Sequence, residues 1–502
     1  MKTNSCISVL LIHKKRKMLE AMNKKIIYYF SGILVALLLM LCISKSDVNA
    51  ETIASDNMTA SDNTTAQATK AAISIKTSTG KNTSALQDVS YATNISCNES
   101  EQITITSQEM MQGIYIEWAK EPSKWTLTYN GQTMECGTSG FLHEYVAIPD
   151  GATSVTMILS KSEKICGITG YSTGILPADV ERWKPTCEKA DILVLSTHAD
   201  DELLFLGGVL AEYAGQEKLA VQVVYFSNYY NGAVIREHEK LDGLWAAGVK
   251  NYPVTGNFDD IYAADLASAE KIFGYDKTLS FVVEQIRRFK PQVCVGQDVN
   301  GEYGHGTHML TSKALQEATT ISMDATKYPE SVEKYGIHDV EKTYIHLYPE
   351  NKLYLDCKKP LSEFGGKNAV EVAQEAYKKH VSQQWCWFYV SDSYEYSCAD
   401  FGLYRTTVGN DTGNDMMEHV ISYEEQAKQQ LEAQEQAKQQ LEAKEQASVL
   451  EAESLSARQQ NIIKDKNILK IVMVYAGVII AFGLLIAVYI KNKNKKKQNR
   501  RK

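Results

Sequence analysis

The stretch that decides the fold is "DILVLSTHADDE", residues 191–202. Its apolar run, 192–195, is typical of a strand that is buried on both faces of a parallel sheet. A histidine and three acidic residues follow directly, where such a strand ends and a helix begins. The stretch therefore predicts an α/β fold with polar side chains at the carboxyl edge of its sheet, which is where sites form in such folds.

The same pattern, an apolar strand followed by a helix, continues through residues 190–410. Two further apolar strands are expected at "AVQVVYF" (220–226) and "QVCVG" (292–296). Between the strands lie helical patterns at 202–214, 236–248 and 278–289. Alternating strands and helices predict a Rossmann-like parallel sheet with helices on both faces.

Residues 91–180 have a different pattern, in which apolar and polar residues alternate in several short segments. With turn pairs at Asn130-Gly131 and Asp150-Gly151, this pattern predicts a small antiparallel β-sandwich with hairpins at both pairs. Its aromatic residues either line a carbohydrate-binding face or pack in the core, and burial habits favour the core. The residues in question are Trp118, Trp125 and Tyr129.

The N-terminal region carries a targeting signal. Residues 1–50 contain a 19-residue uncharged run after two lysines, which predicts a secretory signal peptide or an N-terminal membrane anchor. Residues 51–90 are rich in Ser, Thr and Asn, and we expect a disordered linker there. The exported part has eight cysteines and no CxxC pair, so a cysteine zinc site is not expected, and the sequence leaves disulfide pairing open.

The C-terminal region predicts a membrane tether. A ten-residue repeat predicts a helical stalk at 422–465; because its apolar stripe drifts around the helix, a strong coiled coil is not expected. Residues 471–490 form a run long enough to span a bilayer, and 491–502 form a basic tail. The positive tail predicts a cytoplasmic C-terminus, so the rest of the exported chain faces outward, as on a Gram-positive bacterial surface. The net charge of −8 and the lack of a basic stripe argue against a nucleic-acid partner.

Two histidine clusters carry the chemistry. His198 and Asp201 are three residues apart after the first strand, and His305 and His308 are three residues apart after "QVCVG". Each cluster alone is weak evidence for a metal site. A capping Asp beside a chance His gives the spacing of the first, and two histidines three residues apart are similarly common. Both, however, map to the same edge of the predicted sheet. Two histidines and a carboxylate make a zinc triad with an open fourth position, which is typical of a catalytic site.

"LVLSTHADDELLFLGG" (193–208), followed by "NGEYGHGTH" (300–308), resembles the PIG-L/LmbE-like family of zinc-dependent N-acetylglucosaminyl deacetylases. The resemblance implies that His198, Asp201 and His308 bind Zn²⁺, although a mixed N/O set also accepts iron or cobalt. It further implies catalytic roles for three residues. Asp200 would be the general base, Tyr303 would stabilise the oxyanion, and His305 would act as an imidazolium that protonates the departing amine.

The sequence departs from the family pattern at two places. Ala199 stands where the family has proline, and Gly306-Thr307 replace a proline and an aspartate of the second motif. If that aspartate supports a charged His305, its loss would lower the pKa of His305. Because the implied ligands and base are retained, we interpret the changes as tuning and not as inactivation.

Three more residues are weaker candidates for substrate contact. Arg236 and Glu239 lie three residues apart on one helix face, where an ion pair is the likelier arrangement and contact with substrate hydroxyls the alternative. His380, in "HVSQ", either approaches the site or is a structural histidine. Glu202 opens a helix, and we expect a capping role for its carboxylate.

The sequence therefore predicts an exported, membrane-tethered zinc deacetylase acting on N-acetylglucosamine-type sugars of a surface glycan or glycoconjugate. Two alternatives stay open. The chain could be a non-catalytic glycan-binding protein built on a deacetylase-like domain, as the altered second motif would allow. It could also be a zinc amidase or esterase that acts on another acylated substrate.

Overall fold

A computed structural model describes residues 66–498 of the chain. The predicted signal peptide or anchor, 1–50, lies outside the described residues, as do the first fifteen residues of the predicted linker. The described residues form a β-rich part, a mixed α/β part and one long C-terminal helix.

The β-rich part is an eight-stranded sheet whose named strands all pair antiparallel. The strand order is β1-β8-β4-β7-β5-β6, and β2 and β3 pair with β4 and β8. The strands are β1 (Lys70–Ala71), β2 (Ile73–Thr77), β3 (Ile95–Cys97), β4 (Gln102–Trp118), β5 (Trp125–Tyr129), β6 (Gln132–Cys136), β7 (His143–Leu159) and β8 (Glu163–Ser172).

The linker prediction is wrong for residues 66–90, which contain β1, β2 and a short 3₁₀ helix. The segment "ISIKT" of β2 alternates β-branched and polar residues and pairs along β4, from Ile73 opposite Ser107 to Thr77 opposite Ile103. Ala71, Ile75 and Leu86 are buried, and they contribute apolar area towards the cost of ordering this segment.

One of the two predicted hairpins is confirmed. Asn130 and Gly131, with φ of 47° and 77°, join β5 to β6 as a two-residue turn. Asp150-Gly151 instead lies inside β7, where two positive φ angles bend the strand and its register with β4 shifts. Trp118 and Trp125 are fully buried, and both indole N–H groups donate to Glu144, at 3.2 and 3.0 Å. With Tyr129 also buried, these aromatic residues belong to the core and do not line a sugar-binding face.

The α/β part has a seven-stranded sheet in the order β11-β10-β9-β12-β13-β15-β14. Its strands are β9 (Ile192–Ser196), β10 (Val221–Asn228), β11 (Val254–Asp259), β12 (Val293–Gly296), β13 (Lys342–His346), β14 (Lys352–Tyr354) and β15 (Asp400–Thr406). The first five strands of that order run parallel, as expected. At the other edge β14 and β15 pair antiparallel, so the expectation of a wholly parallel sheet is wrong there. The chain enters β15 at the carboxyl end of β13, where His346 donates to Ser397 O, and β15 must therefore run back.

Helices cover both faces of this sheet, and alternate residues of β9 enter two separate apolar clusters. Ile192 and Val194 pack into one cluster, and Leu193 and Leu195 into the other. The predicted helix at 202–214 is broken at Phe205-Leu206. The helices are α1 (Asp201–Leu204), α2 (Gly207–Val209, continued by the π-helical turn Leu210–Gln216), α3 (Ile235–Ala246), α4 (Leu266–Phe273), α5 (Tyr275–Phe289), α6 (Gly306–Ile321), α7 (Pro329–Tyr335) and α8 (Ala369–Tyr377).

A buried polar junction joins the β-rich part to the α/β part. His143 of β7 contacts Glu181 through Nδ1 and His238 of α3 through Nε2, both at 2.8 Å. Tyr91 donates its hydroxyl to Asp242 at 2.9 Å. Burial raises the pKa of Glu181 to about 7 and that of Asp242 to about 8. Because these acids are in mutual contact, a shared proton stabilises the junction at neutral pH and below.

The C-terminal region is one helix, α9 (Tyr423–Gln498). The predicted stalk, the predicted span and the described part of the tail therefore lie in one continuous helix. Among the described residues, this helix is the one that is long and apolar enough to cross a membrane.

Candidate metal centre

The two histidine clusters meet at the carboxyl edge of the parallel strands. His198 follows β9, and Asp201 is the first residue of α1. His308 lies in the first turn of α6, which the chain reaches after β12. Since β9 and β12 are paired neighbours, the loops that follow them share one site, as the sequence predicts.

Three ligand atoms converge there. His198 Nδ1 lies 3.0 Å from Asp201 Oδ2 and 3.0 Å from His308 Nε2, and the third side of the triangle, His308 Nε2 to Asp201 Oδ2, is 3.1 Å. Ligands at the usual 2.0–2.1 Å from a tetrahedral zinc ion are roughly 3.3 Å apart. The donor set therefore fits a divalent cation such as zinc with little rearrangement.

Glu302 orients His308 and was not singled out from the sequence. His308 Nδ1 lies 2.7 Å from one oxygen of Glu302, and His346 Nδ1 lies 2.7 Å from the other. With the Nδ1 proton directed at a carboxylate, the Nε2 lone pair of His308 faces the site, as in carboxylate–histidine–metal arrangements. The sequence indicates no partner residues for His346, yet in the structure it contacts the same carboxylate that supports His308.

The electrostatics of the centre favour a positive charge. Burial disfavours the charged form of His308, but Asp201 and Glu302 outweigh burial and raise its pKa to about 10. Burial also disfavours the charged form of Asp201, yet His308 and His198 hold its pKa well below the usual range. The carboxylates therefore stabilise cationic charge where the three ligand atoms meet.

His305 lies beside the ligands but differs from its implied role. One ring nitrogen each of His198, His305 and His308 lies within 4.8 Å of the others, so His305 is a geometric candidate for a ligand. Its Nδ1 accepts from Thr307 N at 3.2 Å, which leaves the ring proton on Nε2. Burial and the other two histidines lower the pKa of His305 to about 3. The Nδ1 contact and the lowered pKa favour a neutral His305 with its proton on Nε2, and its role as an imidazolium stays a prediction.

Asp200 stands next to a ligand in a strained backbone conformation. Its φ of 139° lies in the left-handed half of the map, which a residue with a side chain adopts only where its surroundings enforce it. Burial raises the pKa of Asp200, and Arg236, whose Nη2 donates to Oδ1 at 3.1 Å, opposes that rise. Glu202 accepts from Asp200 N at 2.7 Å, which agrees with the predicted capping role.

The three weaker candidates for substrate contact each have a defined partner in the structure. Arg236 forms no ion pair with Glu239; it binds Asp200 and Asp260, and its Nη2 also donates to Ala199 O at 2.6 Å. Glu239 is buried and accepts from both the backbone N and the hydroxyl of Ser382. His380 is buried and contacts Glu202 at 2.8 Å. Arg236 lines the site, whereas the other two hold neighbouring segments in place.

Ala199 and Gly306, two of the three residues that depart from the family pattern, make contacts that proline could not make. Ala199 N donates to the hydroxyl of Tyr229 at 3.0 Å, a contact that proline could not make. Gly306 N donates to Ala263 O, and a Cβ on Gly306 would lie 2.1 Å from Asp265 O. The loop before α4 therefore occupies the space that a larger residue at 306 would need.

A pocket of about 500 Å³ opens over these groups. Tyr303 lines it, with its ring centroid 5.4 Å from that of His308, and is partly exposed at a φ of 50°. Asp260 and Tyr262 line the opposite side. A further wall comes from the aromatic loop, residues 384–396, whose sequence "QWCWFYVSDSYEY" is the signal that could have revealed it.

The comparisons with known proteins agree with this site. Residues 193–319 match the family model described as PIG-L: GlcNAc-PI de-N-acetylase. A 1D-myo-inositol 2-acetamido-2-deoxy-alpha-D-glucopyranoside deacetylase of Catenulispora acidiphila is 24% identical over 244 residues, which cover 41% of this chain and 72% of the relative. The mycothiol S-conjugate amidase of Streptomyces coelicolor is 43% identical over 61 residues, 12% of this chain and 20% of the relative.

Among solved structures, the N,N'-diacetylchitobiose deacetylase of Pyrococcus horikoshii shares 18% identity, with a TM-score of 0.32. The match covers 39% of this chain and 71% of that chain. The family match spans both histidine clusters, the one with His198 and Asp201 and the one with His305 and His308. The matched segment of the α/β part therefore resembles PIG-L/LmbE-like deacetylases, both in its sequence and in the residues that it brings together.

Proposed function

We propose that this chain is a membrane-tethered, zinc-dependent deacetylase that removes the acetyl group from N-acetylglucosamine-type units of a surface glycan or glycoconjugate. The observation that carries the proposal is the triangle of His198, Asp201 and His308, with sides of 3.0–3.1 Å and Asp200 beside it. A cation bound there supplies Lewis acidity, which polarises a carbonyl oxygen and acidifies water.

The residues of the chain have separate tasks in this reaction. Asp200, with a pKa raised by burial, removes the proton from the attacking water. Tyr303 lines the pocket and donates its hydroxyl to the oxyanion that develops on the acetyl group. His305 contributes a neutral Nε2–H donor towards the site, and the proton that reaches the departing amine comes from Asp200.

The terminal regions support the location. The apolar segment 471–490 lies in α9 and is followed by a tail with eight basic residues, which favours a cytoplasmic C-terminus and an outward-facing catalytic domain. About 48 residues of helix precede the apolar segment, a length of about 70 Å at 1.5 Å per residue. Such a stalk suits a substrate in the wall or surface layer of a Gram-positive cell. We also propose that the β-rich sheet is a sandwich that holds the domain against the glycan, and that the parallel sheet is Rossmann-like.

The test uses the full chain purified in detergent. We expect about one zinc ion per chain by mass spectrometry, acetate release from N-acetylated chito-oligosaccharides and cell-wall fragments, and a loss of about 10² to 10⁴ in kcat for Asp200→Asn with metal content unchanged. A chain without bound metal would refute the proposal, and full activity in Asp200→Asn would refute the assignment of the base.

A second candidate is an amidase that acts on another acylated amino sugar, as the match to the mycothiol S-conjugate amidase favours. This candidate predicts that the chain binds metal, requires Asp200 and hydrolyses a bulkier amide. It also predicts no acetate release from any acetylated glycan.

A further inference from the structure

The pocket over the metal centre has an aromatic wall that the chemistry of deacetylation does not use. Trp385 and Trp387, both in the aromatic loop, line the pocket and remain 82% and 62% exposed. Large exposed apolar side chains beside a concave site mark a surface that a ligand covers. These two indoles contrast with Trp118 and Trp125 of the β-rich part, which are buried.

The wall is continuous from the reacting centre to the surface. The ring of Tyr303 lies 4.5 Å from that of Phe388, measured between centroids, and Phe388 lies 4.0 Å from Trp387. Tyr303 itself faces His308. A substrate that places its acyl group at the metal ligands therefore extends along this series of rings towards the exposed indoles.

The base of the loop is fixed, which keeps the wall in position. Glu239 accepts two hydrogen bonds from Ser382, and Tyr377 OH lies 3.1 Å from Cys386 Sγ. Gln384 donates to two backbone carbonyls of the preceding turn. Aromatic side chains that are already held in place lose little entropy when a ligand binds, so they are suited to stacking against a rigid ring.

We propose that Trp385 and Trp387 form a stacking subsite for a pyranose ring that adjoins the N-acetylated residue, so that the substrate is an oligosaccharide of at least two rings. This inference rests on the proposed deacetylase function. The C–H face of a pyranose packs flat against an indole, and the pocket of about 500 Å³ is larger than the reacting acetamido group needs. Contact with a lipid bilayer is disfavoured, because about 70 Å of helix separates the domain from the apolar segment.

The experiment compares two probes on the full chain in detergent, N-acetylglucosamine and triacetylchitotriose. We expect kcat/KM to be higher for the trisaccharide. Trp385→Ala and Trp387→Ala should each lower the ratio of trisaccharide to monosaccharide kcat/KM about tenfold. Trp387→Phe should keep most of the wild-type preference for the trisaccharide, since it retains an aromatic face. Tyr354→Ala removes an aromatic ring that is 53% exposed outside the pocket and serves as the control.

Binding gives a readout that does not depend on turnover. Triacetylchitotriose titrated calorimetrically into Asp200→Asn should bind about tenfold more tightly than into Asp200→Asn/Trp387→Ala. Equal affinities, or equal trisaccharide-to-monosaccharide ratios in wild type and tryptophan variants, would overturn the subsite. Trp387-dependent binding with no acetate release by the wild type would retain the subsite and refute the proposed deacetylation.

Discussion

Replacement of Glu302 by glutamine removes the negative charge next to His308 and keeps the size of the side chain. The carboxylate lies 2.7 Å from His308 Nδ1 and 2.7 Å from His346 Nδ1, and all three side chains are fully buried. The amide of Glu302→Gln can accept from His308 through its oxygen and donate to His346 through its nitrogen. His346 then retains Nε2–H for Ser397 O, at 2.9 Å. One buried group loses its partner, because Asp298 N donates at 3.0 Å to the same oxygen as His346 and would face the amide nitrogen of the variant. Apart from this one hydrogen bond, the variant changes mainly the charge.

The expected effect is a weaker metal site in an intact fold. A neutral amide polarises the imidazole of His308 less than a carboxylate does, so Nε2 becomes a poorer donor. Loss of such an outer partner costs about 10- to 100-fold in metal affinity, or about 1.4 to 2.7 kcal/mol. Glu302→Ala, in contrast, leaves four buried N–H donors without their acceptor, and we expect a loss of about 1–3 kcal/mol of folding free energy for each that stays unpaired. These donors belong to His308, His346, Asp298 N and Gln297.

Metal affinity is measured by competition with a chromophoric chelator, and folding by thermal unfolding of the metal-free chain. For Glu302→Gln we predict a zinc dissociation constant raised at least tenfold, a melting temperature lowered by far less than in Glu302→Ala, and activity restored by excess zinc. A dissociation constant within twofold of the wild type would refute the idea that Glu302 acts through His308. Exposed Glu375→Gln on α8 is the control for a general charge effect.

Three further predictions concern packing and charge. Gly306→Ala places a Cβ 2.1 Å from Asp265 O, so thermal unfolding should show a loss of about 1–3 kcal/mol, and an unchanged melting temperature would contradict this packing. Ala199→Pro removes the N–H that Tyr229 accepts, and we expect kcat to fall with metal content retained; wild-type kcat would show that the contact is dispensable. The raised pKa of Asp242 means that the folded chain binds more protons than the unfolded one, so this acid costs stability as pH rises from about 4 to about 8. Asp242→Asn should therefore raise the unfolding free energy by at least about 1 kcal/mol at pH 8 and by little at pH 4, and an equal effect at both would refute the assignment.

The sequence predicted the architecture best where the pattern is long and periodic. The strands of 192–195, 220–226 and 292–296 form as expected, and their carboxyl ends bring His198, Asp201 and His308 together. The antiparallel strands β14 and β15 were missed, because pairing direction depends on where the chain re-enters the sheet and not on the strand's own residues. The strand Ile73–Thr77 was missed because a polar composition concealed a short alternating segment.

At the site, the ligand spacing was readable but the supporting contacts were not. Glu302 lies within the quoted motif, yet its distance to His346, 44 residues further on, is a property of the fold alone. The charge of His305 was likewise out of reach, since it depends on burial among other histidines. The aromatic run at 385–389 was visible, but its position over the pocket required the path of the chain between α8 and β15.

The aromatic loop is bounded by residues that also contact the groups around the metal. At its start, Ser382 binds Glu239; at its end, Ser397 O is held by His346, which shares Glu302 with His308. Cation occupancy and sugar binding are therefore expected to be thermodynamically linked, each strengthening the other by the same factor. A chain of this kind would capture glycan poorly while metal-free, so that scarcity of the ion would reduce both retention of the polymer and its modification.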